Sequence, residues 1–389
     1  MRRTIVIFML FVAPAMAAAQ SSLLPLATDS NGTGLYVNLD YVWNYNLYEQ
    51  SRWGLGLNYK IVHSRTAETM LAGYAGYGVR DKQWKGGLGV THRWGDNALY
   101  FSAMRDYSAA ASRRMNAVSL LDINDLSVFM ASRMSDNRSL VAGYLRGWGY
   151  NSVSIDAHLF FGGRLFGGSG LRYLCDGDSI TQENGLEATL SYRYHNSFKT
   201  LLIVGKTWPA DKTILKLLTE YQKTLGFKHT YLSCFLQGGI TPPNTPYIRM
   251  FDLGGTYGAP LCFRNALLTV RPNEYTANVF AFMSLRFGLN KPLFKFYNKV
   301  FAVGSNPKPF VGMNGAWGWL WGQDEYGVLN YETLWLEALY NGYLEALVGV
   351  DGLLRWGGVD YGLSFAAGRP LSPDGQLRTS VLVNALISL

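Results

Sequence analysis

The side chains best suited to acid–base or nucleophilic chemistry are five histidines, His63, His92, His158, His195 and His229, of which His195 opens the run His195-Asn196-Ser197. A histidine near a serine suits hydrolysis of a lipid ester. Adjacent residues of a strand point to opposite faces, however, so the local sequence cannot by itself assemble a triad. Cys175, Cys234 and Cys262 are odd in number and lack C-x-x-C spacing, which signals neither zinc nor a disulfide framework. One pair is open to them in an oxidising compartment. The runs Phe161-Gly162-Gly163 and Phe166-Gly167-Gly168 lack the Lys-Ser/Thr of a phosphate loop and read as turns or bulges. The expectation is a chain without enzymatic activity, cofactor or metal.

A second set of reactive groups is defined by position. Asp156, Glu187, Arg193, Arg286, Glu345, Asp351, Arg355 and Asp360 carry charges of both signs within segments of alternating polarity. In Ser152 to Phe161, Val153, Ile155, Ala157, Leu159 and Phe161 oppose Ser152, Ser154, Asp156 and His158, and only Phe160 breaks the polar side. In Leu186 to Tyr194, apolar residues oppose Glu187, Thr189, Ser191 and Arg193; in Tyr275 to Phe287, Thr276, Asn278, Ser284 and Arg286 share the polar side, with Phe280 and Phe282 as exceptions. Such alternation belongs to strands with one face in an apolar medium and the other in water. A Lys or Arg facing lipid at mid-depth costs about 2–4 kcal/mol, so the charges are expected inside a lumen, pairing or lining water.

Composition agrees. The 389 residues are 48% hydrophobic, 14% aromatic and only 16% charged, with 43 glycines, yet the mean hydropathy is +0.01. Faces of opposite extremes average to neutrality. Met1-Arg2-Arg3, an apolar run from Thr4 and the small residues Ala17-Ala18-Ala19 read as a signal peptide over 1–19, followed by a short linker over 20–33 and a barrel over 34–389. Cleavage removes Arg2 and Arg3 from 35 basic residues and none of the 27 acidic ones, leaving a mild surplus of scattered cations. That scatter argues against nucleic acid and fits outer-membrane lipid and lipopolysaccharide as partners.

Seventeen segments qualify as strands, from 35–41 to 379–389 and including 69–79, 125–134 and 198–206. Each approaches the 9–11 residues a barrel strand needs. Single-chain bacterial barrels favour even counts, so an all-β, transmembrane antiparallel β-barrel of about 16 strands with long loops is expected, one segment serving as loop or plug. Glu325 to Leu344 suits either a short helix or an extra hairpin.

Thr245-Pro246-Tyr247, then Phe251-Asp252-Leu253-Gly254-Gly255, then Arg264 resembles the surface-antigen barrel superfamily that includes BamA and TamA. The pattern over Gly238 to Leu389 is nearer to a family of Gram-negative barrels often fused to a carboxypeptidase-regulatory-like domain. The resemblance implies a long extracellular loop, bearing Phe251, Gly254, Gly255 and Arg264, that folds into the lumen, with five strands after it. Two features depart from the pattern: Asn265-Ala266 follows Arg264 where Gly-aromatic is usual, and the strand from Phe310 to Gly315 lacks the acid that would hold the loop arginine. Neither periplasmic repeats nor the regulatory-like domain fits before Leu35, so capture of a periplasmic client is expected to need a separate partner. The implied role is transport, secretion or assembly at the bacterial outer membrane. A passive or gated small-solute pore and a barrel lipid hydrolase are the alternatives.

Overall fold

The computed structural model describes residues 23–44, 49, 51–109, 111–113, 133–167, 184–195, 197–209, 211–257, 261–262, 266–298, 303–331, 334–356 and 359–387. The signal peptide expected over 1–19 lies outside them. Among the described residues one 21-stranded sheet dominates, and no helix is long and apolar enough to cross a membrane. Seventeen of its strands follow one another as antiparallel neighbours: β1 Leu23–Thr28, β2 Gly34–Asn38, β3 Arg52–Ser64, β4 Ala67–Gly78, β5 Trp84–Trp94, β6 Asn97–Ala109, β7 Arg133–Trp148, β8 Asn151–Gly167, β9 Asn184–Tyr194, β10 Phe198–Trp208, β11 Thr213–Gly226, β12 Thr230–Ile240, β13 Val279–Leu289, β14 Lys308–Trp319, β15 Tyr343–Trp356, β16 Val359–Pro370 and β17 Arg378–Ile387.

Sixteen of these match segments expected from alternation, including 69–79 (β4) and 198–206 (β10). Of the segment 125–134, only Arg133 and Met134 are described, and they begin β7. The additional strand, β1, lies within the stretch 20–33 that was expected as a linker. Leu23–Thr28 pairs with β2 through a register shift between Pro25 and Ala27, an irregularity at which a proline is tolerated. Glu325 to Leu344 resolves as a hairpin, Val328–Tyr331 against Leu334–Glu337.

The sheet is an antiparallel barrel with two unlike ends. Connections at one end are tight, over 29–33, 65–66, 95–96, 149–150, 195–197, 227–229 and 357–358, with 290–307 as the extended exception. Between the strand ends on the opposite side the sequence intervals are long: 39–51, 110–132, 168–183, 241–278 and 320–342. Outward side chains are apolar and exposed: Trp53, Leu55, Leu57 and Tyr59 on β3, Leu186 and Leu190 on β9, Val348 on β15. Their inward neighbours are polar and buried, among them Asn58, Glu187 and Glu345. This inversion of the soluble pattern is what a lipid-facing wall around a polar interior requires.

Candidate functional site

The interior is not uniformly filled. On β11 the inward residues Ile214, Lys216 and Leu218 are 0%, 4% and 0% exposed, whereas further down the same face Glu220 is half-buried and Gln222 and Thr224 are exposed. On β9, Glu187 and Thr189 are buried, Ser191 is half-buried and Arg193 is exposed. The lumen is thus occluded at the long-loop end and open toward the tight-turn end. The occluding body is the segment 241–278, lodged against the inner wall from β8 to β17.

Its base is fixed by Asn278. The Asn278 amide donates to Thr241 Oγ1 at 3.1 Å, and the Thr241 N–H donates to the Asn278 carbonyl at 2.8 Å. Trp321 then donates its indole N–H to the Thr241 carbonyl at 2.8 Å. A 3-10 turn, Tyr247–Arg249, carries the segment inward. There the Arg249 guanidinium donates to both oxygens of Glu187 on β9, at 2.8 and 3.2 Å, while His158 on β8 holds the same carboxylate at 2.7 Å. Arg249 also lies 4.7 Å over the Phe160 ring.

Next along the chain, Lys216 donates to the carbonyls of Met250 and Ser112, at 3.3 and 2.6 Å, with its ammonium 4.6 Å from the Phe251 ring centroid. One buried lysine therefore ties two loop segments to β11. Ala111 zips the two together, donating to Ile248 and accepting from Asp252 through backbone groups. Gln237 on β12 holds the Arg113 carbonyl at 3.1 Å, and the Arg113 guanidinium lies over Phe282 at 5.2 Å and Phe280 at 5.6 Å. Phe251 is fully buried against Phe280, ring centroids 4.7 Å apart.

Gly254 and Gly255 are positions of close backbone approach. A Cβ on Gly255 would stand 1.9 Å from the Leu267 carbonyl, and one on Gly254 2.4 Å from the Asn273 nitrogen. The segment folds back on itself there, and a side chain would force the two passes apart. The returning pass meets Glu345 of β15, whose carboxylate accepts from the Leu268 N–H at 2.8 Å, the Thr269 N–H at 2.8 Å, the Thr269 hydroxyl at 2.7 Å and the Asn314 amide at 2.8 Å. Burial first, and Glu274 second, raise the pKa of the Tyr275 hydroxyl, so it stays neutral. Arg378 of β17 reaches Glu274 at 2.5 Å, and Leu261–Cys262 runs parallel to Val383 and Asn384.

Phe251, Gly254 and Gly255 thus lie in a segment packed against the inner wall, and the contacts that hold it are made by other residues. Arg264 lies outside the described residues. The arginine that meets a wall acid is Arg249, and the acid missing from the Phe310 to Gly315 strand stands one strand over as Glu345, serving backbone amides. Arg286 pairs with Asp351, and Arg355 approaches Asp360 at 3.7 Å, both on the lower wall. Asp156 is buried with neither carboxylate oxygen bonded among the described residues. His195 sits at a tight turn, its ring 5.0 Å from Tyr150. Cys234 is a free thiol; the side chains of Cys175 and Cys262 lie outside the described residues.

Alternation placed Asn278 on a polar face but did not point to Lys216, Gln237 or Arg249. It also gave no sign of an ionic seal in the upper part of β3–β6, where Arg52 bridges Glu49 and Asp106 at 2.6 Å each and Lys85 bridges Glu49 at 2.5 Å and Asp81. A usable signal did exist. Phe160, Phe280 and Phe282, the apolar exceptions on polar faces, all point inward and pack within the clusters built around the inserted segment.

No family model and no curated protein matches the chain. Among solved structures it is similar to CdiB from Acinetobacter baumannii (9% identity, TM-score 0.45, 90% of this chain and 57% of that one) and CdiB from Escherichia coli (11% identity, TM-score 0.45, 88% and 61%). It is also similar to a bacterial polysaccharide outer membrane secretin, at 10% identity and a TM-score of 0.35, covering 87% of this chain and 91% of that one. The chain thus spans under two thirds of the length of either CdiB. At these TM-scores the fold rests on the sheet itself.

Proposed function

We propose that the protein is an outer-membrane barrel of the BamA-like type, acting without catalysis in transport, secretion or assembly, with its lumen gated by the segment 241–278. The observation that carries this reading is the burial gradient along β9 and β11. A passive pore needs a continuous water path, whereas here polar wall residues and a folded loop fill one end and leave a vestibule at the other. In outer-membrane barrels the tight turns face the periplasm, so cargo would enter the vestibule from that side and the loop would have to move to release it.

A periplasmic partner or client fits the same end. The 290–307 connection exposes Leu293, Phe294, Phe296 and Tyr297, each more than half exposed, beside Lys291 and Lys295. Exposed apolar side chains gathered in one short stretch mark contact sites. The test is conductance in planar bilayers, read before and after Glu345→Ala. A silent wild type and a conducting variant support the gated reading; steady ohmic conductance by the wild type alone would replace it with an open pore for small solutes.

A further inference from the structure

The outward face of β7 and β8 near the tight-turn end carries an open groove of about 500 Å³ lined by Tyr144, Arg146, Trp148, Val153 and Ile155. It lies within a belt of aromatic side chains. The Trp94 and Tyr144 ring centroids are 6.3 Å apart, and the hydroxyls of Tyr144 and Tyr192 turn toward the strand ends, donating to Asn97 and Asn151 at 2.7 Å each. Such belts sit at the headgroup level of a bilayer.

Arg146 is the anomaly in that belt. It is exposed on the lipid-facing side and makes no hydrogen bond or ion pair among the described residues. Its cross-strand partners are Asn97 and Val153, and Asp96, on the turn beside Gly147, forms no ion pair with it. An outward cation is strongly disfavoured at mid-membrane but nearly free of cost at the interface, where lipid supplies the counter-ion. The guanidinium fork matches two phosphate oxygens, Val153 and Ile155 give an apolar floor for the start of an acyl chain, and Tyr144 and Trp148 bracket it.

We propose that this groove is a binding site for the phosphodiester of a bilayer phospholipid in the leaflet at the tight-turn end, with Arg146 as the phosphate ligand. The proposal rests on the membrane-spanning reading and not on the gate. Its test is native mass spectrometry of the detergent-solubilised full chain with added dioleoylphosphatidylglycerol, beside flotation of the protein with liposomes of the same lipid. Wild-type protein should retain one lipid that Arg146→Gln loses by about tenfold, the scale of one charge-assisted hydrogen-bonded contact. Arg146→Lys should fall between the two, and Arg193→Gln, in the vestibule, should match wild type. Inorganic phosphate should not displace the lipid. Equal retention by Arg146→Gln in a protein that floats would overturn the site alone, as would displacement by inorganic phosphate. Failure of wild type to enter liposomes would overturn the membrane reading with it.

Discussion

The two halves of a single strand differ more than any two strands do. Down the inward face of β11, Ile214, Lys216 and Leu218 are sealed against loop residues, and four residues later Gln222 meets solvent. The backbone is the same antiparallel ladder throughout, so secondary structure does not cause the change. What changes is the partner: the upper wall packs on folded chain, the lower wall on water. Burial of an ionised or polar group is costly unless its lone pairs and protons find mates. That rule explains why the upper charges Glu187, Lys216 and Glu345 make several bonds each, while the exposed Arg193 makes none among the described residues.

The sharpest way to break this contrast is Glu345→Ala. The change strips the acceptor from two buried backbone amides and the Thr269 hydroxyl, and removing one side of such a buried charged network costs about 3–5 kcal/mol. The folded barrel should keep its heat-modifiable mobility while the 241–278 segment becomes sensitive to protease. If the segment stays protected, the carboxylate is not what holds it. Phe160→Ala comes next. It removes a fully buried ring under Arg249 and Met250, at about 3 kcal/mol. The expected readout is a lower melting temperature with protease sensitivity near Arg249 and none near Leu268. Uniform loosening of the whole segment would mean that the two anchors act as one.

Much of the barrel is legible in the sequence alone, and for a simple reason. A wall between lipid and water must alternate, and alternation survives in the sequence as a period of two, clear in Leu186 to Tyr194. The strand at Leu23–Thr28 was missed because it shows no alternation: Leu24 to Thr28 are all exposed, and Pro25 sits at a register shift. The inserted segment was half legible. Gly254 and Gly255 announced a tight fold-back, but its lock was sought in an arginine and an acid at fixed offsets, whereas Glu345 recognises backbone amides, which have no sequence signature. Phe160, Phe280 and Phe282 carried the missing information. An apolar residue on the water side of a barrel strand is a violation unless something dry sits upon it, so each exception marked a point where chain enters the lumen.

The smallest expected effect on stability falls in the vestibule and sharpens the contrast from its other side. Arg193 is exposed and unpaired among the described residues, so Arg193→Glu should change stability by no more than about 0.5 kcal/mol. Its effect should appear elsewhere. In the Glu345→Ala background, where ions can pass, a reversed charge on the lower wall should move selectivity toward cations, because fixed wall charges set the local concentration of permeant ions. Reversal potentials under a potassium chloride gradient measure it. An unchanged reversal potential would place Arg193 off the conducting path, and a large loss of stability would show that the lower wall is packed as tightly as the upper.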